Sequence, residues 1–154
     1  MFRVVQHFLN SDTPTRSQAA LSLRVVFALA FLGQLGVVAS LWLGLLIFTE
    51  PRERSVPFTG EALVGLSILQ FFLALFVGRL SANVKAKGGK EAALSAVIAQ
   101  GVIFSTPAWF TLFAWLVGEE PHYFLLLFAL LGLYYFLGLL FAGRYTNTAL
   151  LKGR

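Results

Sequence analysis

Four long apolar runs, separated by short polar or charged segments, dominate the pattern of hydrophobic and polar positions along the chain. They cover residues 25–48, 62–78, 92–117 and 123–142, lengths that suit α-helices crossing a hydrocarbon core about 30 Å thick. The pattern predicts an all-α integral membrane protein, a single membrane domain built as a four-transmembrane-helix bundle. Residues 79–91 are expected to form a basic loop, and residues 143–154 a short basic tail.

The first 23 residues are polar enough to lie outside the membrane core. Apolar residues share one helical face near the start of the chain, at Phe2, Val5, Phe8 and Leu9. This pattern predicts a short helix lying in the membrane interface. Thr13 is expected to cap the next helix, with Pro14 at its first position.

The two halves of the chain resemble each other. The sequence Ala-Ala-Leu-Ser at residues 19–22 recurs at residues 92–95, and Phe-Val-Gly-Arg-Leu-Ser at residues 76–81 matches Phe-Ala-Gly-Arg-Tyr-Thr at residues 141–146. These matches favour an internal repeat of two tandem helical hairpins, related by an axis along the membrane normal. Chance similarity between apolar helices is the alternative.

Composition supports placement in a membrane. Hydrophobic residues make up 58% of the chain and charged residues 12%, with a mean hydropathy of +0.79, whereas soluble domains carry about 25% charged residues. Cysteine is absent, which excludes disulfides, thiolate catalysis and cysteine-ligated metals.

Basic residues are distributed unevenly across the predicted spans. Ten of the 12 Lys and Arg residues fall on one side: Arg3, Arg16, Arg24, Arg79, Lys85, Lys87, Lys90, Arg144, Lys152 and Arg154. The positive-inside rule predicts that both termini and the basic loop are cytoplasmic, or lie in an equivalent compartment. The net charge of +5 is therefore attributed to topology, and no nucleic-acid partner is expected.

Four polar side chains fall at a similar depth within the spans: Gln34, Gln70, Gln100 and Tyr135. Each is nine or ten residues from a charged residue at the basic edge, or about 14 Å along a helix. They are expected either to hydrogen-bond across helices or to form a midplane polar site for a small ligand or water. No Asp, Glu, Lys or Arg occupies the middle of a span, which argues against coupled transport.

Other positions are candidates for local roles. Pro107 is expected to kink the third span, because it leaves the carbonyl of Ile103 without its helical donor. The tryptophans predict an outer aromatic belt at Trp42, Trp109 and Trp115. Basic residues at the loop and helix ends are candidates to contact lipid head groups or an acidic partner, or they only set topology: Arg79, Lys85, Lys87, Lys90 and Arg144.

No catalytic motif is recognisable. A Ser-His-Asp arrangement, a Walker loop, a dinucleotide-binding turn and a metalloprotease helix are all missing from the sequence, so an enzyme is not expected. His122, beside Glu119 and Glu120, is a candidate metal or haem ligand, with an ordinary interfacial histidine as the alternative. No cofactor is otherwise predicted, although a bound lipid, quinone or pigment at the aromatic outer half is one hypothesis.

Residues 23–38, Leu-Arg-Val-Val-Phe-Ala-Leu-Ala-Phe-Leu-Gly-Gln-Leu-Gly-Val-Val, resemble the start of a four-helix membrane family of cyanobacteria and the chloroplast inner envelope. The resemblance covers about the first half of the chain. It implies a link to iron permeation or protein import, and no functional residue is carried over from it.

Taken with the large number of Phe residues, 16 in all, these features favour a small non-catalytic membrane subunit. Such a subunit would pack against a larger membrane protein complex and support its assembly or stability. The alternative is a small oligomeric permease or channel that uses the polar midplane residues.

Overall fold

The structure, a computed structural model, describes residues 2–11, 14–48, 57–84 and 89–150. These residues form α1 (Phe2–Asn10), α2 (Arg16–Phe48), α3 (Thr59–Val84), α4 (Gly89–Phe104), α5 (Thr106–Leu116), α6 (Pro121–Ala142), a 3₁₀ turn (Gly143–Tyr145) and α7 (Thr146–Leu150). Four segments are long and apolar enough to cross a membrane: α2, α3, α4 with α5, and α6 with the turn and α7. The prediction of an all-α bundle of four membrane helices is confirmed.

The helices extend beyond the apolar runs, chiefly at the end of the bundle that carries Arg24, Arg79, Lys90 and Arg144, which we call the basic end. Because α2 has 33 residues, it is about 50 Å long, well above the thickness of a hydrocarbon core. Much of the predicted basic loop and tail is also helical, at residues 79–84, 89–91 and 143–150. Hydropathy marks where an apolar run ends, but backbone hydrogen bonding continues past it.

A capping box closes the first turn of α2. The backbone N–H of Gln18 donates to Thr15 Oγ1 at 3.3 Å, and the N–H of Thr15 donates to Gln18 Oε1 at 3.1 Å. Since α2 begins at Arg16, the prediction that Thr13 caps this helix, with Pro14 at its first position, is wrong. Thr13 itself lies outside the described residues, and the Thr-x-x-Gln spacing is the sequence signal for the actual start.

The third span, α4 with α5, is the centre of the bundle. Its apolar window is 56% buried, against 17% to 22% for the other three spans. α2 packs mainly on α4 and α6, while α3 packs mainly on α4, α5 and α6. α2 and α3 follow each other in the chain but hardly contact each other within the described ranges, so the two sequence halves interlock. The internal repeat itself stays a prediction.

Glycines allow α4 and α6 to approach α2 closely. A Cβ at Gly101 would lie 2.9 Å from Ala30 Cβ and 3.2 Å from the backbone oxygen of Phe27, and a Cβ at Gly138 would lie 1.9 Å from Cζ of Phe27. Around this crossing lies an aromatic cluster with ring centroids 5.2 to 6.3 Å apart, formed by Phe27, Phe31, Phe71, Phe104, Tyr134 and Tyr135.

Pro107 lies in the first turn of α5, just after the helix is interrupted at Ser105. A proline has no N–H to donate to the carbonyl of Ile103. The Thr106 hydroxyl donates to that carbonyl instead, at 2.7 Å, and the Ser105 hydroxyl donates to the carbonyl of Val102 at 2.7 Å. The side chains that precede the proline therefore satisfy the backbone groups at this break.

The turn between α5 and α6 is a Schellman motif. The N–H of Glu119 donates to the carbonyl of Ala114 at 2.9 Å, and that of Gly118 donates to Trp115 at 3.1 Å. Gly118 has a φ of 70°, a conformation that a glycine adopts without steric cost. Pro121 then starts α6, where a missing N–H is tolerated.

Candidate functional site

The four predicted midplane residues do not form one hydrogen-bonded layer. Gln34 and Gln70 are half-buried, and the ring of Tyr135 packs on Phe27 and Phe31 with centroids 6.3 and 5.2 Å away. Within the described ranges no hydrogen bond joins any two of the four. Gln100 alone among them is fully buried, with 1% of its surface exposed.

Gln100 bonds to a residue from the predicted tail. Its Nε2 donates to the Tyr145 hydroxyl at 3.0 Å, across 45 positions of sequence. Its Oε1 is buried and has no hydrogen-bond partner within the described part of the chain. An unpartnered buried amide oxygen costs free energy, which a bound donor would recover.

Gly78 provides the space for this pair on α3. A Cβ at Gly78 would lie 2.4 Å from the Tyr145 hydroxyl oxygen and 2.5 Å from Gln100 Nε2. Contacts under about 3 Å are too short for any real Cβ, so a larger residue would displace both polar groups. The third span, α3 and the 3₁₀ turn therefore meet at one point of the basic end.

A partly open cavity of about 100 Å³ lies against this pair. Its lining is Leu75, Arg79, Gln100, Phe141, Arg144 and Tyr145. The volume suits several water molecules or one small polyatomic group. The two arginines occupy corresponding places in the matched sequences at residues 76–81 and 141–146, and both line this cavity.

The cavity is electropositive. The guanidinium of Arg144 lies 4.4 Å from the centroid of the Phe141 ring, a cation–π contact that holds it beside the opening. Arg79 and Arg144 both line the cavity, so two positive charges share it. Among the described residues no carboxylate forms an ion pair with either arginine. The arrangement is suited to an anion.

A third arginine lies close by. Arg24 Nη2 would lie 3.5 Å from a Cβ at Gly143, the residue that opens the 3₁₀ turn. Tyr145 and Arg24 were not predicted as site residues. Tyr145 and Ala149, four residues apart, are both buried, so one face of the tail packs on the bundle, and no local sequence signal marks this contact.

Lys90, a predicted lipid or partner contact, binds within the chain. Its Nζ donates to the carbonyls of Leu9 and Ser11 and lies 5.4 Å from the centroid of the Phe8 ring. Phe8 is 1% exposed, so the predicted interfacial helix α1 is anchored to the bundle through it. Lys85 and Lys87 lie outside the described residues.

The opposite end of the bundle is held by polar contacts. The Tyr123 hydroxyl donates to Glu61 Oε1, linking the first turns of α3 and α6. His122 Nδ1 lies 3.2 Å from Glu120 Oε2, with both side chains more than half exposed. No group of three His, Cys, Asp or Glu side chains that could hold a metal occurs among the described residues.

The three tryptophans differ in their surroundings. Trp42 and Trp109 pack against the hydrophobic core, and Trp115 is half-buried. The Nε1 of Trp42 is buried without a hydrogen-bond partner in the described structure. The outer aromatic belt stays a prediction.

No family model, curated protein or solved structure matches this chain. The similarity of residues 23–38 to the four-helix envelope family stays a prediction.

Proposed function

We propose that this chain is a small non-catalytic membrane subunit that packs against another transmembrane helix in a larger membrane complex and supports its assembly or stability. The observation that carries this proposal is a stripe of small residues on α2, three of them exposed and Gly44 partly exposed, which we call the α2 small face: Gly33, Gly36, Ser40 and Gly44. At 100° per residue these four positions lie within an arc of about 80°.

The glycines of the α2 small face differ from those that shape the bundle. A Cβ at Gly33, Gly36 or Gly44 would meet no neighbouring side chain or helix of the described residues within 4 Å. By contrast, the space beside Gly101 and Gly138 is filled by atoms of α2 itself. Small residues spaced four apart allow the backbones of two membrane helices to approach closely, which favours a helix as the occupant of this face.

The one hydroxyl group of the α2 small face is already hydrogen-bonded within the helix. The Ser40 hydroxyl donates to the carbonyl of Gly36 at 2.8 Å within the helix. Bulky apolar residues flank the small ones, and Ile47 is 76% exposed. A partner helix would therefore gain close van der Waals packing at little desolvation cost.

The orientation proposed for this subunit follows the positive-inside rule. Both termini and the basic end would lie in the cytoplasm or an equivalent compartment, with Glu61 and Glu120 on the other side. The natural chain contains no cysteine. Single cysteines introduced at each end of the bundle can therefore be labelled from either side of sealed vesicles, which tests this placement.

The test of the subunit proposal is mild-detergent solubilisation of the native membrane, native gel separation and mass spectrometry of the proteins that comigrate with this chain. The Gly36→Leu variant should leave the complex, because the added side chain prevents close helix approach. The Gly65→Leu variant is the matched control, because Gly65 is exposed on α3 and a Cβ there would meet no neighbour within 4 Å in the described part of the chain. Migration of the natural chain alone, or equal loss with both variants, would refute the proposal.

The second candidate is a small oligomeric permease or channel. Its specific support is a pair of buried amide oxygens, Gln70 Oε1 and Gln100 Oε1, that have no hydrogen-bond partner in the described ranges. Water or a polar solute passing between helices would satisfy them. Gln70→Leu and Gln100→Leu should then abolish flux in reconstituted vesicles, whereas in a subunit they should change only stability.

A further inference from the structure

We propose that the cavity at the basic end binds a phosphate group, held by Arg79 and Arg144 with Gln100 and Tyr145 at its base. This inference is independent of the α2 small face and of the subunit proposal. It uses the one place in the described chain where two arginines and a fully buried, incompletely bonded amide line the same space.

Charge favours an anion at this position. The two guanidinium groups approach the cavity from different elements, α3 and the 3₁₀ turn, and no described carboxylate pairs with either. Two cations sharing a small cavity beside an apolar bundle repel each other, and an anion between them removes that repulsion. A guanidinium group also binds phosphate through two parallel hydrogen bonds.

Shape favours phosphate over a carboxylate. A phosphate group offers several oxygens in a tetrahedral arrangement, so it can accept hydrogen bonds from two arginines on separate elements and still present an oxygen to the base of the cavity. A carboxylate has only two coplanar oxygens. The volume of about 100 Å³ accommodates one such group.

The Gln100 amide can serve the ligand in either orientation. With Nε2 bonded to Tyr145 at 3.0 Å, Oε1 is left to accept from a ligand hydroxyl. If the amide turns over, the Tyr145 hydroxyl donates to Oε1, and Nε2 becomes a donor to a phosphate oxygen. In either orientation, one polar atom of the Gln100 amide bonds to Tyr145 and the other is available to the ligand.

A lipid head group and free phosphate share this chemistry. Exposed apolar side chains flank the cavity residues along α3 and α6. Phe76 on α3 is 64% exposed and Leu140 on α6 is 60% exposed. Acyl chains of a phospholipid would lie along these residues while the arginines reach its phosphate. A soluble phosphate would use the cavity without them.

The experiment titrates the purified full-length chain, in mild detergent, with three probes: short-chain phosphatidic acid, the matching diacylglycerol without phosphate, and inorganic phosphate. Native mass spectrometry counts bound lipid, and calorimetry measures affinity. Arg79→Gln and Arg144→Gln should each weaken phosphate-dependent binding about tenfold or more, because each removes a charged donor. Both arginines are exposed, so these variants should fold.

Arg16→Gln is the matched control, because it removes the same charge from an exposed residue that opens α2 at the basic end of the bundle but lies outside the cavity lining. Gln100→Leu tests the base of the cavity at unchanged net charge and should also weaken binding.

Binding of phosphatidic acid that inorganic phosphate does not displace identifies a lipid head group, and displacement identifies phosphate itself; both support the site. Equal binding of diacylglycerol, an equal loss with Arg16→Gln, or no binding of any phosphate probe would overturn it.

Discussion

Gly138 offers a direct test of how α2 and α6 are held together. Gly138→Ala places a methyl group 1.9 Å from Cζ, 2.4 Å from Cε2 and 2.7 Å from Cε1 of Phe27. Phe27 is fully buried and its ring contacts Phe31, Phe104 and Tyr135. The ring therefore has no free space to move into, and the helices must separate or the ring must leave its preferred rotamer.

Two opposing effects set the expected loss of stability in Gly138→Ala. Overpacking of a filled core costs about 1 to 3 kcal/mol, and the overlap at Gly138 places this case at the upper end. Replacing a helical glycine by alanine returns at most about 1 kcal/mol. We expect Gly138→Ala to lower the free energy of unfolding by about 2 kcal/mol.

Gly132→Ala is the control on the same helix. Gly132 is exposed, and among the described residues a Cβ there meets no neighbour within 4 Å, so this variant should be neutral or more stable by up to about 1 kcal/mol. Unfolding in mixed micelles with increasing dodecyl sulfate, followed by tryptophan fluorescence, measures the difference. Equal midpoints for the two alanine variants would refute the close approach at Gly138.

A second substitution separates this contact from a general helix effect. Phe27→Leu removes the ring atoms that a methyl group at residue 138 would meet. The double variant should therefore be more stable than the sum of the single effects predicts, by about 1 to 2 kcal/mol. Strict additivity would show that the alanine acts elsewhere.

Three further predictions concern single contacts. Thr15→Ala should cost about 0.5 to 2 kcal/mol locally, seen as faster amide hydrogen exchange in the first turn of α2, and unchanged exchange would contradict the capping box. Lys90→Met should release α1, because it removes the bonds to the carbonyls of Leu9 and Ser11; limited proteolysis should then cut residues 2–11 faster, with the dodecyl sulfate midpoint nearly unchanged. Tyr134→Phe removes a bond of 2.7 Å to the carbonyl of Ser67 and should lower stability by about 0.6 to 2 kcal/mol in the same titration, whereas a variant as stable as the natural chain would show that this bond contributes nothing.

Local features of the fold could be predicted from the sequence. The four spans follow from runs of apolar residues, the turn before α6 from Gly118 and Pro121, and the interruption of the third span from Pro107. Each of these depends on residues within a few positions of one another. The start of α2 is predictable as well, since the capping box occupies four consecutive residues, although Thr13 and Pro14 give a competing start signal two residues earlier.

The candidate site could be predicted only in part. Gln100, Arg79 and Arg144 are recognisable from the sequence as polar residues at defined depths, and the repeated Gly-Arg pairs link two of them. Their convergence with Tyr145 was not predictable, because it depends on the tail folding back against the third span. The bonds from Lys90 to the carbonyls of Leu9 and Ser11 were not predictable for the same reason, because they join residues far apart in the sequence.

The number of helices, their approximate limits and the concentration of basic charge at one end all follow from the order of residues along the chain. Only the packing of the helices establishes which helix is central, which glycines lie against a neighbouring side chain, and which polar atoms meet. The physical reason is that a membrane helix is apolar on both its buried and its lipid-facing sides, so no periodicity along the sequence marks the face that packs inward. Only the fit of one helix against another, as at Gly101 and Gly138, selects that face.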